Sequence, residues 1–337
     1  MRAPLSKYIA LAGVAAAISG VFLYAGGFFG NSQLTAQEFV NLQQGANPHA
    51  GFRRAHAKGF CVAGEVRSNG ALAEHSVAAV LQSTTTPFIG RFSTGGNNPL
   101  APDLSSPVRS LALSFSESPE QNWRIAMNTP PVMAVATPEA FYAQLSALSP
   151  DPATGQRDPS RIQAFFQQHP ESQTFRNWSA SYQATGSLAA EQYHSINAFY
   201  LVNSAGERQA VRWAAVPKTQ VASNPFAEQN DALRLELEAQ LAQAPVAFDW
   251  QFTFAGANDD ENNPTQLWPE SNEQKIAGQI VITRIEPDSA CSEILYDPLI
   301  LPAGVQATAD PILRARSAAY AESYRRRARE VAAQHAQ

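Results

Sequence analysis

The chain has 337 residues, of which 45% are hydrophobic and 16% charged, so it can bury a large core as one domain or two. Its net charge of −5 argues against a nucleic-acid partner. One dense basic run, at residues 325–329, is too short and too isolated to change that conclusion.

Residues 1–36 differ in composition from the rest of the chain. Arg2 and Lys7 precede an almost wholly apolar stretch, and no further charge occurs before Glu38. This pattern is typical of an export signal, and its length also allows an uncleaved membrane anchor. In either case we expect the folded part outside the cytoplasm, in the periplasm. Residues 37–50 are polar and contain Gly and Pro, which predicts a linker that leads into a single domain over 51–333.

Short apolar runs bounded by Gly, Ser and Pro predict strands through the first part of the domain. These runs cover residues 59–80, 87–93, 108–115 and 123–136. Residues 94–108, rich in Gly, Asn, Pro and Ser, predict a long loop. Helices that open near a proline are predicted at 138–148 and 159–169.

The second part of the domain combines a hairpin, two further strands and two helices. The hairpin pairs 196–203 with 209–216, helices cover 224–243 and 310–333, and strands cover 248–255 and 279–285. The last helix begins at Asp310-Pro311, an N-cap followed by proline. Residues 258–265 are rich in Asp and Asn but lack EF-hand spacing, so we interpret them as a solvated loop. The whole order predicts an α+β protein with an antiparallel β-barrel core and flanking helices.

The two cysteines, Cys61 and Cys291, make neither a CxxC metal site nor a disulfide framework. Export would permit one bridge between them, and a separate buried thiol at each position is the alternative. The sequence leaves this choice open.

Two constellations remain after the common catalytic motifs (HExxH, P-loop, GxGxxG and GxSxG) prove absent. His56 lies among three cations in residues 53–58, and nearby positive charge lowers a histidine's pKa, so a neutral His56 could act as a general base. Arg316 and Tyr320 lie one helical turn apart, where the cation stabilises a phenolate, one of the few anionic protein ligands of haem iron. A solvated histidine and an ordinary helix-surface pair are the simpler interpretations.

Five short motifs, in order along residues 50–330, resemble those of the haem-catalase family. They are R-x-x-H-A-K-G at 53–59, R-F-S-T at 91–94, N-W followed by N-T-P at 122–130, P-T-x-x-W-P at 264–269, and a region from 296 that ends in R-x-x-x-Y at 316–320. The chain is short for a catalase. It resembles the small catalase-related peroxidases, which keep the haem barrel, lack the later domains and are often exported.

The resemblance implies roles for nine residues around haem b. His56 would be the distal base, Asn128 would steady the peroxide, and Ser93 would hydrogen-bond His56 and fix its tautomer. Tyr320 would be the axial iron ligand, with Arg316 holding it as phenolate. The remaining implied contacts are with the haem propionates and the porphyrin face: Arg53, Arg91 and Arg327 for the propionates, and Phe141 for the face.

One conflict accompanies these assignments. Strict strand alternation puts Arg53 and His56 on opposite faces, because they are three residues apart. A bulge or the long arginine stem would have to bring both to one haem.

Departures from the family pattern point to the substrate. Ala55 stands before the distal histidine, where the family usually has a bulkier aliphatic residue, and Met133 and Ala134 replace a pair of aromatics. Pro107 lies near the position of an expected channel aspartate. A wider, less polar entrance predicts a peroxidase for organic hydroperoxides that uses a small-molecule or protein electron donor and has weak catalase activity. The alternatives are a true catalase, a hydroperoxide isomerase or lyase, and a haem-binding protein without turnover; a monomer or a homodimer would suit each of them.

Overall fold

The computed structural model describes residues 34–116, 118–151, 153–220 and 223–335. Most of the predicted export segment therefore lies outside the described residues. Within them, no helix is both long and apolar enough to cross a membrane.

The described part of the chain alternates strands, helices and short 3-10 turns. Its strands are β1 Gly59–Ser68, β2 Thr85–Thr94, β3 Arg109–Ser116, β4 Asn122–Asn128, β5 Tyr193–His194, β6 Phe199–Val202, β7 Arg208–Pro217, β8 Val246–Phe254, β9 Gln274–Glu286 and β10 Val305–Ala307. Its helices are α1 Ala36–Gln44, α2 Pro138–Leu148, α3 Pro159–Gln168, α4 Gln173–Ser181, α5 Ala232–Leu241, α6 Ser289–Ser292 and α7 Pro311–His335.

Eight of the strands close into an antiparallel barrel. Their order is β1-β2-β3-β4-β5-β7-β8-β9, and β9 pairs again with β1. Strands β6 and β10 extend the sheet outward from β7. The predicted α+β class with an antiparallel barrel core is confirmed.

Aromatic side chains fill the inside of the barrel. The ring of Phe115 stacks on Trp250 with centroids 6.3 Å apart, and Trp123 meets Trp213 edge-on at 5.5 Å. All four side chains are buried. Because these side chains fill the interior of the eight-stranded barrel, a large ligand has to bind outside it.

The outer face of β3 and β4 carries small side chains. Ser110 and Ala112 alternate with the inward leucines of β3, and Ala112 pairs across the ladder with Ala126 of β4. Helix α7 approaches this face, since the Arg316 guanidinium donates to the Ala126 carbonyl at 3.2 Å. Small side chains here leave space between the barrel and the helix.

The first part of the predicted linker is helical and packed. Thr35 and Glu38 form a capping box that starts α1, with Glu38 N–H donating to the Thr35 hydroxyl and Thr35 N–H donating to the carboxylate. Phe39 and Val40 are buried, and Arg326 of α7 donates to the side chain of Asn41. Residues 36–44 are therefore part of the folded domain, because this capped helix packs its apolar side chains against the rest of the protein.

Helices α2 and α3 begin at the positions that their capping residues predict. Helix α2 starts after Thr137, whose hydroxyl accepts from Ala140 N–H, and α3 starts after Asp158. Helix α4 was not predicted. The helix predicted at 224–243 is shorter than expected, because Asn224 bonds to backbone groups in a turn that precedes α5. The described residues, including the loop 258–265, contain no group of three or more His, Cys, Asp or Glu side chains placed to hold a metal ion.

Candidate active site

A cavity of about 330 Å³ lies between the outer face of the barrel and α7. All nine residues singled out in the sequence line it. They are Arg53, His56, Arg91, Ser93, Asn128, Phe141, Arg316, Tyr320 and Arg327. Helix α1 closes one side of the cavity with Phe39, whose ring lies 5.3 Å from that of Phe141.

The segment that carries His56 is irregular chain, because β1 begins only at Gly59. His56 has a φ of 53°, in the left-handed region that residues other than glycine seldom occupy. Arg91 holds the turn, since its guanidinium donates to the His56 and Ala57 carbonyls at 3.1 Å each. Strand alternation does not apply to this turn, which is how Arg53 and His56 reach the same cavity.

Burial, and after it the positive charges of Arg91 and Arg316, lower the pKa of His56 from 6.5 to about 4. The imidazole is therefore neutral at pH 7 and able to accept a proton. The sequence predicted the lowered pKa from the cations adjacent in the chain. Of these, Lys58 pairs with two aspartates and Arg54 pairs with Glu330. Burial and the positive charges of Arg91 and Arg316, which are distant in the sequence, are therefore the larger causes.

Ser110 joins the two polar groups on the barrel side of the cavity. Its hydroxyl lies 3.0 Å from His56 Nδ1 and donates to Asn128 Oδ1 at 2.5 Å. Because a hydroxyl has one proton, Ser110 must then accept from His56 Nδ1–H, which leaves Nε2 unprotonated as the basic atom. The resemblance assigned this contact to Ser93, which lines the cavity, but Ser110 is the hydroxyl placed against His56 Nδ1. No local pattern in the sequence indicates this contact, because it depends on the β3–β4 register, which pairs Ser110 with Asn128.

The helix side of the cavity presents Arg316 and Tyr320 one turn apart on α7. The Arg316 guanidinium donates to the Asn197 side-chain oxygen and to the Ala126 carbonyl. Asn197 in turn donates to Asp310 at 2.6 Å, whose other oxygen accepts from the backbone N–H of residue 312. The predicted N-cap therefore also anchors the arginine, a second role that no sequence signal indicated.

Arg53, Arg91 and Arg327 form a cluster of cations at the cavity. Burial lowers the pKa of Arg91 to about 10, and burial together with repulsion from Arg91 and Arg327 holds the pKa of Arg53 well below its usual value. In the described part of the chain, none of the three lies within 4.0 Å of a carboxylate. Buried cations without counter-ions are unfavourable, so the cluster suits a ligand that carries carboxylates.

Sequence comparison identifies the family. The catalase family model matches residues 41–244. The chain belongs to the catalase family. It is 32% identical over 329 residues to a catalase-related peroxidase of Synechococcus elongatus, covering 96% of this chain and 97% of that protein. A catalase-related peroxidase of Mycolicibacterium paratuberculosis is 29% identical over 290 residues, covering 84% of this chain and 90% of that protein.

Solved catalase structures share the fold. A bacterial catalase superposes with a TM-score of 0.72 at 22% identity over 84% of this chain, and catalase A from Saccharomyces cerevisiae with a TM-score of 0.73 at 18% identity over 84%. The chain spans 58% and 62% of the length of these two structures. Family membership makes the protein a peroxide-acting oxidoreductase, and the family implies a haem cofactor.

The residues around the cavity fit a haem. A phenol on the helix side can bind iron, and the small side chains Ala112 and Ala126 allow a flat ring to approach the barrel. The cluster of Arg53, Arg91 and Arg327 offers the positive charge that two propionates would neutralise.

Proposed function

We propose that this catalase-family protein is a haem b peroxidase that reduces organic hydroperoxides, and hydrogen peroxide only weakly, with an external electron donor. One hydroperoxide, ROOH, would take two electrons and two protons from the donor and give one alcohol, ROH, and one water. The observation that carries the proposal is the set of small or flexible apolar side chains that line the cavity together with His56.

The residues of this chain would bind, orient and move protons. Tyr320 would bind the iron, with Arg316 stabilising its phenolate, and bound haem would supply the redox centre for the donor's electrons. His56 Nε2 would take the proton from the O–H oxygen of ROOH and return it to the RO oxygen, which leaves as the alcohol. Asn128 would orient the peroxide beside that nitrogen.

The apolar part of the cavity lining favours a substrate with an alkyl group. Ala55 precedes the histidine in the chain, and Val132, Met133 and Ala134 line the same cavity. Moving apolar surface out of water lowers the free energy. An alkyl chain therefore binds here more readily than a strongly hydrated hydrogen peroxide molecule. Alanine at position 55 also leaves the space that a larger side chain would occupy.

The first test compares two assays on the haem-loaded protein. Donor oxidation with tert-butyl or cumene hydroperoxide should exceed oxygen release from hydrogen peroxide without a donor. Rapid oxygen release without a donor would identify a true catalase. A rearranged hydroperoxide with no donor consumed would identify an isomerase or lyase, and no turnover of either peroxide would identify a haem-binding protein.

Ala55→Val tests the specificity directly. The added methyl groups should lower kcat/KM for cumene hydroperoxide roughly tenfold and change the value for hydrogen peroxide much less, since discrimination of this size is typical for small changes in an apolar pocket. Ala50→Val is the matched control, because Ala50 is exposed five residues earlier in the same segment. Equal losses for both peroxides would contradict the assignment of Ala55.

Export to the periplasm is part of the same proposal. The Cys61–Cys291 disulfide supports it, because disulfides persist mainly in oxidising compartments. The composition of the first 36 residues supports it independently. Fractionation of the cells with mass spectrometry of the N-terminus would test export; a full-length chain confined to the cytoplasm would contradict it.

A further inference from the structure

The disulfide joins strand β1 to helix α6, and residues 294–296, which follow α6, line the cavity. Cys61 lies in β1 and Cys291 in the four-residue helix α6, 230 positions later. Both side chains are buried, and Tyr296 packs against them. The pairing that the sequence left open is therefore a bridge between the barrel wall and the segment that follows β9.

The backbone beside Cys291 holds two of the three clustered arginines. Arg53 Nη2 donates to the Cys291 carbonyl at 3.3 Å and to the Ile294 carbonyl at 3.1 Å. Arg327 Nη2 donates to the Ser292 carbonyl at 2.6 Å. Residues 291–294, the carbonyl turn, thus fix guanidiniums that come from opposite ends of the chain.

The other end of the bridge is next to the third arginine. Cys61 is the cross-strand partner of Arg91 in the β1–β2 ladder. One covalent link therefore ties the strand beside Arg91 to the carbonyl turn that holds Arg53 and Arg327. These three cations repel one another, and a four-residue helix has little stability of its own, so the turn needs an external anchor.

We propose that the Cys61–Cys291 disulfide positions the arginine cluster for the carboxylates of the cofactor, so that reducing the disulfide weakens haem binding. A dithiol reductant would supply the two electrons and two protons that convert the bridge into two thiols, and would itself become a cyclic disulfide. This inference rests on the proposed haem function, and it concerns cofactor retention rather than the peroxide that is used.

The test measures haem release from the reconstituted full-length protein. Release is followed by transfer to excess apomyoglobin in the wild type and in the variant with both Cys61→Ser and Cys291→Ser. Loss of one charge-assisted hydrogen bond predicts about tenfold faster release from the variant. Wild type reduced with dithiothreitol and alkylated should match the variant, and reoxidation without alkylation should restore slow release. Resonance Raman bands of the propionates should shift with the faster release.

A double-mutant cycle separates positioning from general stability. The cysteine replacements should have little further effect in a background with both Arg53→Gln and Arg327→Gln, because both contacts through which they act are already lost. In an Arg316→Gln background they should keep their full effect, since Arg316 is held by Asn197 and Ala126 and not by the carbonyl turn.

Each other outcome has a definite meaning. Equal effects in both backgrounds, unchanged release, or loss of secondary structure together with haem would overturn the inference and leave the peroxidase proposal intact. Failure of the wild type to develop a Soret band with haem would instead overturn the proposed function.

Discussion

Acid should destabilise this protein through His56 in a defined pH window. The folded chain keeps the imidazole neutral because burial lowers its pKa from 6.5 to about 4. Between these values the unfolded chain binds a proton that the folded chain does not bind, so lowering the pH favours unfolding. The free energy of unfolding should therefore fall from pH 6.5 to pH 4, with no such contribution at pH 7.

The size of the effect follows from the same two values. The fall in the His56 pKa from 6.5 to about 4 corresponds to a loss of about 3 kcal/mol in the free energy of unfolding. Roughly 2 to 3 kcal/mol of this loss is reached by pH 4.5. Part of the imidazole faces the cavity and not packed protein, so about 3 kcal/mol is an upper bound. His194, which burial alone brings to a pKa of about 4, should contribute a separate loss in the same window.

Urea unfolding at pH 7 and pH 4.5, at equal haem occupancy, provides the assay. His56→Gln cannot titrate, so it should lose about 2 to 3 kcal/mol less than the wild type between the two pH values. His49→Gln, outside the cavity, is the control and should follow the wild type. If His56→Gln and the wild type lose the same stability on acidification, the imidazole is not neutral and buried, and its assignment as the base is wrong.

Three substitutions test the chemistry of the cavity. Tyr320→Phe should abolish or shift the Soret band, whereas Tyr324→Phe, one turn further along α7, should retain it; an unchanged spectrum in the first variant would refute the axial ligand. Ser110→Ala should slow hydroperoxide cleavage about 10- to 100-fold and change the ¹⁵N tautomer signature of His56, with Ser114→Ala on the same strand face as control. Normal cleavage in Ser110→Ala would show that the hydrogen bond is dispensable. His56→Ala should keep haem but lose peroxidase activity, and full activity would exclude His56 as the base.

Short-range patterns in the sequence were sufficient for some of the site. The helix that carries Tyr320 follows from its N-cap at Asp310-Pro311 and from the spacing of Arg316 and Tyr320, all of which are local. The apolar run at residues 108–115 likewise predicted strand β3. These features need only the 3.6- and 2-residue periods of regular structure.

Other parts of the site depend on contacts between distant segments. Ser110 meets His56 only because β3 and β4 pair in one register, and Asn197 meets Arg316 only after the chain has closed the barrel. The Cys61–Cys291 pairing is equally invisible in the sequence, since 230 positions separate the two residues. Local patterning also misplaced His56 on a strand, because a positive φ at a non-glycine residue is imposed by surrounding contacts such as those of Arg91.

Strand β4 connects the two sides of the cavity. The Ala126 carbonyl accepts from Arg316, which would stabilise the Tyr320 phenolate in the proposed site, and two residues later Asn128 accepts from Ser110, whose hydroxyl lies against His56. Two residues of a strand span about 7 Å, so the supports of the base and of the proposed iron ligand are fixed to one short, hydrogen-bonded segment of the barrel. That segment pairs with β3 along its length, so the barrel fixes the separation of the two supports. A change in the register of β4 would therefore displace both supports together.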